Sequence, residues 1–366
     1  MDPTLQNRPD SMPFIKQKFS RYYQENPVTA PRDVGHREFG FGNDKKIDFR
    51  HYSFKQEQDL QNYFVSETPL YGSYSCAYYE FPAGRPMLKK NKQGSELTFE
   101  FDVHCTHNTL TCNICMDTTK QDTLSLIEDF LIPDFGFSKN DVSVNFSGNR
   151  GYHIHVENDK VQELNSRARR EIIDYVMGRD IEFMPQQRPL PAHHGWQGKL
   201  SRALHSVIEN ATPESLREYG FKSTTIEKII QNKNAILHDI NLGIYTNFPR
   251  SMNAWQKILQ KKIDETRLEI DAGVTLDVSR LMRIPSSLHG GTAFCASIIK
   301  NLDAYEPLRD SVVFPDKPRR IQAIKDIPDF QLKDQTINSI SNGHEAEVPE
   351  FAAMYLICQN LAIPKE

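Results

Sequence analysis

No run of about 18 apolar residues occurs in the chain, so a membrane-spanning helix is not expected. The first residues, MDPTLQNRPDSMP, are polar and lack an apolar core segment, and they do not read as a secretory signal. Cysteine is scarce, with six in 366 residues, and Cys76, Cys295 and Cys358 are scattered. That distribution offers no disulfide framework and points to a reducing, intracellular compartment. A positive charge excess is also missing: 44 Lys and Arg face 48 Asp and Glu, for a formal charge of −4. Nucleic-acid binding would therefore need its basic residues concentrated locally. There is no internal repeat and no low-complexity tract.

With 38% hydrophobic and 25% charged residues the chain reads as globular, long enough for one large domain or two smaller ones. Phe14, Ile15, Phe19, Tyr22 and Tyr23 fall at helical spacing. Strand-like runs follow at 38–41 and 47–54, then a helical pattern at 56–67 and an extended aromatic stretch at 71–81. Residues 83–94 read as a polar linker, and 122–131 as a helix. Val142, Val144 and Phe146 alternate with polar residues, as do Tyr152, Ile154 and Val156, around a Gly-containing turn, which is a hairpin pattern. The alternation puts His153 and His155 on the polar face, opposite the buried one. Residues 161–235 are helical by pattern, with basic Arg167, Arg169, Arg170, Lys199 and Arg202 and a Pro-rich break at 185–191. Short extended pieces return at 270–295, and the tail carries PDKPRRIQAIK before an apolar helix at 351–361. Strands, then helices, then strands again predict an α+β fold.

Three groups of residues carry chemistry. In SELTFEFDVHCTHNTLTCNIC, residues 95–115, the alternation of Leu97, Phe99, Phe101 and Val103 predicts a half-buried strand. Glu100 and Asp102 then share a face, where they can bind one divalent cation or simply be solvated on an edge strand. Asp271 is a candidate third acid. Cys105, His107, Cys112 and Cys115 have the ligand types and crowding of a closed structural zinc site, the alternative being a cluster of free thiols. Ser147, Arg150 and His153 form a donor group beside Gly148 and Gly151, suited to phosphate or merely to a hairpin turn. Arg280, Arg283, Ser286, Ser287 and His289 form a second donor group. Two donor clusters with three acids point to a polyphosphate with bound metal.

Together these motifs resemble the catalytic small subunit of archaeal and eukaryotic-type DNA primase. SGNRGYHIHV (147–156) is similar to that family's S-G-x-R-G-x-H-x-W-V signature, with His155 where Trp is usual. IDAGVTLDVSRLMRIPSSLHGGT (270–292) resembles its D-x-x-V-T-x-D-x-x-R-L-x-R-x-P-x-S-L-H-G-x-T motif, with wording closer to the archaeal form. HREFGF (36–41), the later Arg50 and LTFEFD (97–102) match further blocks, so the likeness runs from about 36 to 292. The resemblance implies template-directed synthesis of short RNA, or DNA, primers from NTPs or dNTPs. It makes Glu100, Asp102 and Asp271 a catalytic Mg²⁺ or Mn²⁺ triad, with Glu100 where the family has Asp. Arg50, Ser147, Arg150, His153, Arg283 and His289 become nucleotide contacts. It favours Asp271 over Asp277 as third acid, a choice that periodicity leaves open. It gives the Cys/His cluster a structural Zn²⁺.

The fold then expected is a mixed, antiparallel-sheet primase core at 1–160 and 236–310, with a zinc knuckle at 104–116. A helical insertion at 161–235 and a C-terminal segment at 311–366 complete it. The implied partners are a single-stranded DNA template and a primase large subunit in a heterodimer, with no membrane. Localisation is cytoplasmic for an archaeal source and nuclear for a eukaryotic one. A single-chain primase-polymerase of the same superfamily, a metal-dependent nuclease and a non-catalytic zinc-containing subunit are the alternatives. Primer formation on single-stranded template separates them, since a nuclease degrades the template without product. The donors at Arg150, His153, Arg283 and His289 argue against a decayed site.

Overall fold

The computed structural model describes residues 11–103, 105–107, 109–181, 194–244 and 246–365. His104 and the Pro-rich break at 185–191 lie outside them. The chain divides into two compact units: Met1–Leu124 with Lys139–Arg169 and Asp271–Glu366, and Ser125–Ser138 with Arg170–Ile270. The second unit is helical, and it runs on to Ile270 rather than stopping at 235, because helix Met252–Thr266 packs on helix Gly195–Glu209. Its core is formed by helix-spaced residues such as Trp196, Leu200, Leu204, Ile236, Ile240, Trp255 and Leu259.

The first unit is built on antiparallel sheets. Its strands begin with β1 (Phe39–Gly42), β2 (Phe49–Tyr52), β3 (Tyr71–Ser75), β4 (Ala77–Tyr79), β5 (Lys92–Ser95) and β6 (Leu97–Asp102). The hairpin β7 (Val142–Phe146) and β8 (Gly151–Val156) comes next, then β9 (Leu281–Arg283) and β10 (Ser297–Ile299). One sheet has the order β2-β1-β3-β9 and another β10-β7-β8-β6. Strands β4 and β5 pair, so part of the expected polar linker is a strand. The helix expected at 122–131 begins instead at Asn113, among the cysteines, and continues as a π-helical turn at Leu126–Leu131.

Leu97, Phe99 and Phe101 of β6 are buried with Tyr152, Ile154 and Val156 of β8, as period-two alternation requires. The opposite face is buried at one end and opens at Glu100 and Asp102. His153 and His155 are 6% and 1% exposed, and Thr98 and Glu96 beside them are also buried. The polar face is thus not a solvent face at its His155 end, because the other sheet covers it there. Tyr74 of β3 stacks on His155 at 6.1 Å and 14°, and Arg37, just before β1, pairs with Glu96. Alternation reports which side chains share a face, not what packs on that face.

Arg169, read as one of a series of basic helix positions, is 1% exposed. Its guanidinium donates to Ser95 Oγ at 2.8 Å and to the carbonyls of Glu96 at 2.9 Å and Thr275 at 3.2 Å. The tail is more sheet than its sequence suggested. PDKPRRIQAIK supplies β11 (Pro318–Ala323), followed by the hairpin β12 (Phe330–Leu332) and β13 (Gln335–Ile337). Strand β14 (Glu345–Pro349) leads into helix Glu350–Cys358, and β15 (Ala362–Pro364) completes a sheet ordered β14-β11-β15. That helix is buried from Phe351 to Cys358.

Candidate active site

Glu100 and Asp102, at the end of β6, face an open cleft of about 330 Å³, at the lower end of the usual range for small-molecule sites. Arg50, Ser147, His153, Arg283 and His289 line the same cleft, so residues far apart in sequence converge there. Arg150 lies instead on an adjoining cavity, whose wall includes Asp102 and His289. Asp271 lines neither of these. Its backbone N–H donates to the Glu100 carbonyl at 3.4 Å, while its carboxylate caps the short helix Ala272–Leu276 by accepting from Gly273 N–H at 2.8 Å. Asp277 lines the cleft, with its carboxylate accepting from the Ser279 hydroxyl at 2.6 Å.

The hairpin turn is shaped for close approach. Ser147 Oγ accepts from Gly151 N–H at 3.1 Å and from Asn149 N–H at 3.3 Å, which stitches the turn to itself. A Cβ at Gly151 would stand 2.2 Å from an Asp102 carboxylate oxygen and 2.6 Å from the Phe101 carbonyl, so only glycine lets Asp102 lie there. Gly148 has φ +75°, and its carbonyl accepts from the Thr292 hydroxyl at 2.6 Å. That bond ties the first donor motif to the loop carrying His289.

Charge within the cleft is tightly organised. Glu100 faces His153 Nε2 at 3.4 Å and an Arg280 nitrogen at 3.5 Å. Burial pushes its carboxyl pKa up, but the hydrogen bond and charge of His153, then Arg280 and Lys46, outweigh burial and hold it below the ordinary value. Arg50 donates twice to Glu38, at 2.7 and 3.1 Å, and once to the Ser279 carbonyl at 3.2 Å. Glu38 is fully buried, and it also accepts from His51 N–H at 3.2 Å and lies 3.4 Å from the buried Lys90 ammonium. A planar fork gripped at both ends fixes the direction of Arg50.

Arg283 is 7% exposed and stands over the Tyr71 ring at 5.0 Å. Burial lowers its pKa, and its Nη1 is buried without a hydrogen-bond partner. A buried cationic donor left unpaired is costly unless an anion meets it. The Tyr71 ring also meets His289 edge-on at 5.1 Å. His289 Nδ1 accepts from Gly291 N–H at 3.2 Å, which places the ring proton of the neutral form on Nε2.

Sequence reasoning did not find Glu38, Lys46 or Tyr71. Glu38 lies inside the quoted HREFGF block, so a signal was present, but its partnership with Arg50 is visible only in three dimensions. Lys46 and Tyr71 belong to no motif.

Among the described residues, the metal-capable group with mutually close ligand atoms is Cys105, His107, Cys112 and Cys115, all within 4.8 Å of one another. His107 Nδ1 lies 3.5, 3.3 and 3.3 Å from the three sulfurs. Bonds of about 2.3 Å to sulfur and 2.0 Å to nitrogen at tetrahedral angles give an S···N edge of roughly 3.5 Å, so this group can hold a zinc ion. The carboxylates of Glu100, Asp102 and Asp271 are not gathered so closely.

The profile described as DNA primase small subunit matches residues 101–300, from the last turn of β6 through the His289 loop. The chain belongs to the DNA primase small-subunit family. The DNA primase small subunit PriS of Methanosarcina acetivorans is 31% identical, over 95% of this chain and 95% of its own. That of Methanothrix thermoacetophila is 32% identical over 95% and 98%, and that of Methanocaldococcus jannaschii 27% over 95% and 96%. This is the archaeal type of the primase small subunit, and nucleotidyl transfer is its chemistry. The part matched by the primase profile begins one residue after Glu100 and contains Asp102, both donor motifs and the Cys/His group. No helix among the described residues is long and apolar enough to cross a membrane.

Proposed function

We propose that the cleft joins nucleoside triphosphates into short RNA primers on a single-stranded DNA template. One observation carries this reading: two acids of β6 and cationic donors from three distant segments line one cleft, and Arg283 brings to it a buried donor without a partner. In this reading Arg50, Ser147, His153, Arg283 and His289 bind the triphosphate, with Arg150 at the adjoining cavity. Glu100, Asp102 and Asp271 supply hard oxygen donors suited to Mg²⁺ or Mn²⁺. When bound, these ions neutralise charge on the attacking and leaving oxygens. The protein side chains orient the triphosphate and meet the charge that develops on it, which is how preorganised donors lower such a barrier. Arg50, held by Glu38, needs little reordering when nucleotide arrives.

The family supports a large-subunit partner and, by its archaeal type, a site of action in the cytoplasm. We propose core, helical insertion and C-terminal segment as functional divisions, with the insertion expected at 161–235 taken on to Ile270, where the helical unit ends. Labelled NTPs with single-stranded template test the reading. Short products that need both template and divalent cation are expected, and template degradation without product would refute it. Asp102→Ala and Asp271→Asn should each abolish synthesis; the second keeps the oxygen that caps Gly273 N–H, so lost activity there reports lost charge rather than a lost cap.

A further inference from the structure

Tyr355 lies in the C-terminal helix, in a tail that no sequence motif marks. It is 3% exposed, and its ring stacks on Phe294 at 5.3 Å and 10° and sits 5.7 Å from Phe330. These rings fix the position of the hydroxyl, which donates to the Leu110 carbonyl at 2.7 Å. Leu110 lies between His107 and Cys112 of the zinc group. The Arg150 side chain is close enough to the same hydroxyl to act on it electrostatically, opposing the rise that burial imposes on the tyrosine pKa. One cavity wall contains Cys105, Leu110, Cys112, Arg150, Phe294 and Tyr355 together. Four residues on, at one helix period, the Gln359 amide donates to the Gly291 carbonyl at 2.9 Å, two residues from His289.

A tyrosine hydroxyl can donate one hydrogen bond while accepting another. Here its proton goes to the zinc loop, and the hydroxyl shares a cavity wall with Arg150. Moving the loop therefore moves the hydroxyl beside Arg150. The backbone reinforces the link, because Val103 N–H, at the exit of β6 toward the cysteines, donates to the Arg150 carbonyl at 3.2 Å.

We propose that Tyr355 is a positioning residue that couples the Cys/His zinc site to Arg150, so that the ordered zinc loop sets the direction of the guanidinium and its grip on the nucleotide triphosphate. This rests on the reading of Arg150 as a triphosphate contact. Coupling between two sites is reciprocal in binding free energy, so bound nucleotide tightens zinc binding as zinc tightens nucleotide binding, and the more tightly held zinc is expected to leave more slowly.

The test uses the full zinc-loaded chain and Tyr355→Phe, which keeps the ring stack and removes only the hydroxyl. ATP with Mg²⁺ is titrated calorimetrically, and zinc release to a chromophoric chelator is timed with and without ATP. Tyr355→Phe should weaken ATP binding roughly tenfold, the scale of one hydrogen bond to a charged group. It should also release zinc faster and lose the protection that ATP gives. Arg150→Ala with Tyr355→Phe should bind ATP no more weakly than Arg150→Ala alone, as expected for residues acting as one unit. Wild-type affinity and zinc release in Tyr355→Phe, or additive effects in the double variant, overturn the proposal. If ATP fails to bind the wild-type chain, the triphosphate reading falls; zinc release then decides the Tyr355 link by itself. Faster release in both single variants with no further gain in the double supports it, and unchanged release overturns it.

Discussion

Glu96 sits 2% exposed between Arg37 and His155, accepting from His155 Nδ1 at 2.8 Å. Burial pushes its carboxyl pKa up, yet the His155 bond and charge, then Arg37, hold it below 4.5. A depressed folded pKa gives stability that is complete above the unfolded value and is lost as pH falls through the folded one. Urea midpoints should therefore fall as pH drops below about 4.5, and more steeply in the wild type than in Glu96→Gln. Glu96→Ala strands a buried guanidinium and should cost about 3–5 kcal/mol in denaturant unfolding at neutral pH. At the cleft, Glu38→Gln keeps the shape but removes the charge that grips Arg50. The KM for nucleotide should rise roughly tenfold in primer synthesis, with kcat changed less. These assignments could not come from alternation alone. His155 has the same period-two position as His153, but one pairs with Glu96 and the other faces Glu100.

At the scale of elements, the hairpin turn and the zinc loop each place side chains for the cleft. Gly151→Ala would drive a Cβ into the Asp102 carboxylate, so it should displace that acid and abolish synthesis while costing about 1–3 kcal/mol of stability. A circular-dichroism melt beside the activity assay separates the two effects. Cys112→Ser removes one of four ligands, and measured zinc content should drop with the melting temperature. The β6 strand and the β7–β8 hairpin were legible because their alternation is clean and one face is apolar. Strands β11 to β15 were not, because short strands with mixed polar residues carry little periodicity, and pairing across the sheet defines them.

At the scale of the molecule, the two tryptophans, Trp196 and Trp255, both belong to the helical unit. Their fluorescence reports on that unit, whereas zinc release reports on the other. Two compact units need not unfold together. In guanidinium titrations the fluorescence and zinc-release midpoints should therefore differ, and coincident transitions would show a single cooperative unit. The helical unit's extent to Ile270 was hidden from the sequence, which assigns 236–310 to the core, because only the packing of helix Met252–Thr266 on helix Gly195–Glu209 joins those residues to it.

The order and type of residues alone determined the α+β class, the Cys/His group able to hold zinc, the acids of β6 and the two donor motifs, because ligand spacing and strand alternation are local in sequence. Tertiary structure decided what those groups meet. It buried the Glu96–His155 end of the polar face of β6 and β8 under a second sheet, clamped Arg50 on Glu38, and left Asp271 capping a helix while Asp277 faces the cleft. It also brought Tyr355 from the tail to the zinc loop and Arg150. Such partnerships join residues tens to hundreds of positions apart, and packing between sheets, which no local period encodes, is what sets them.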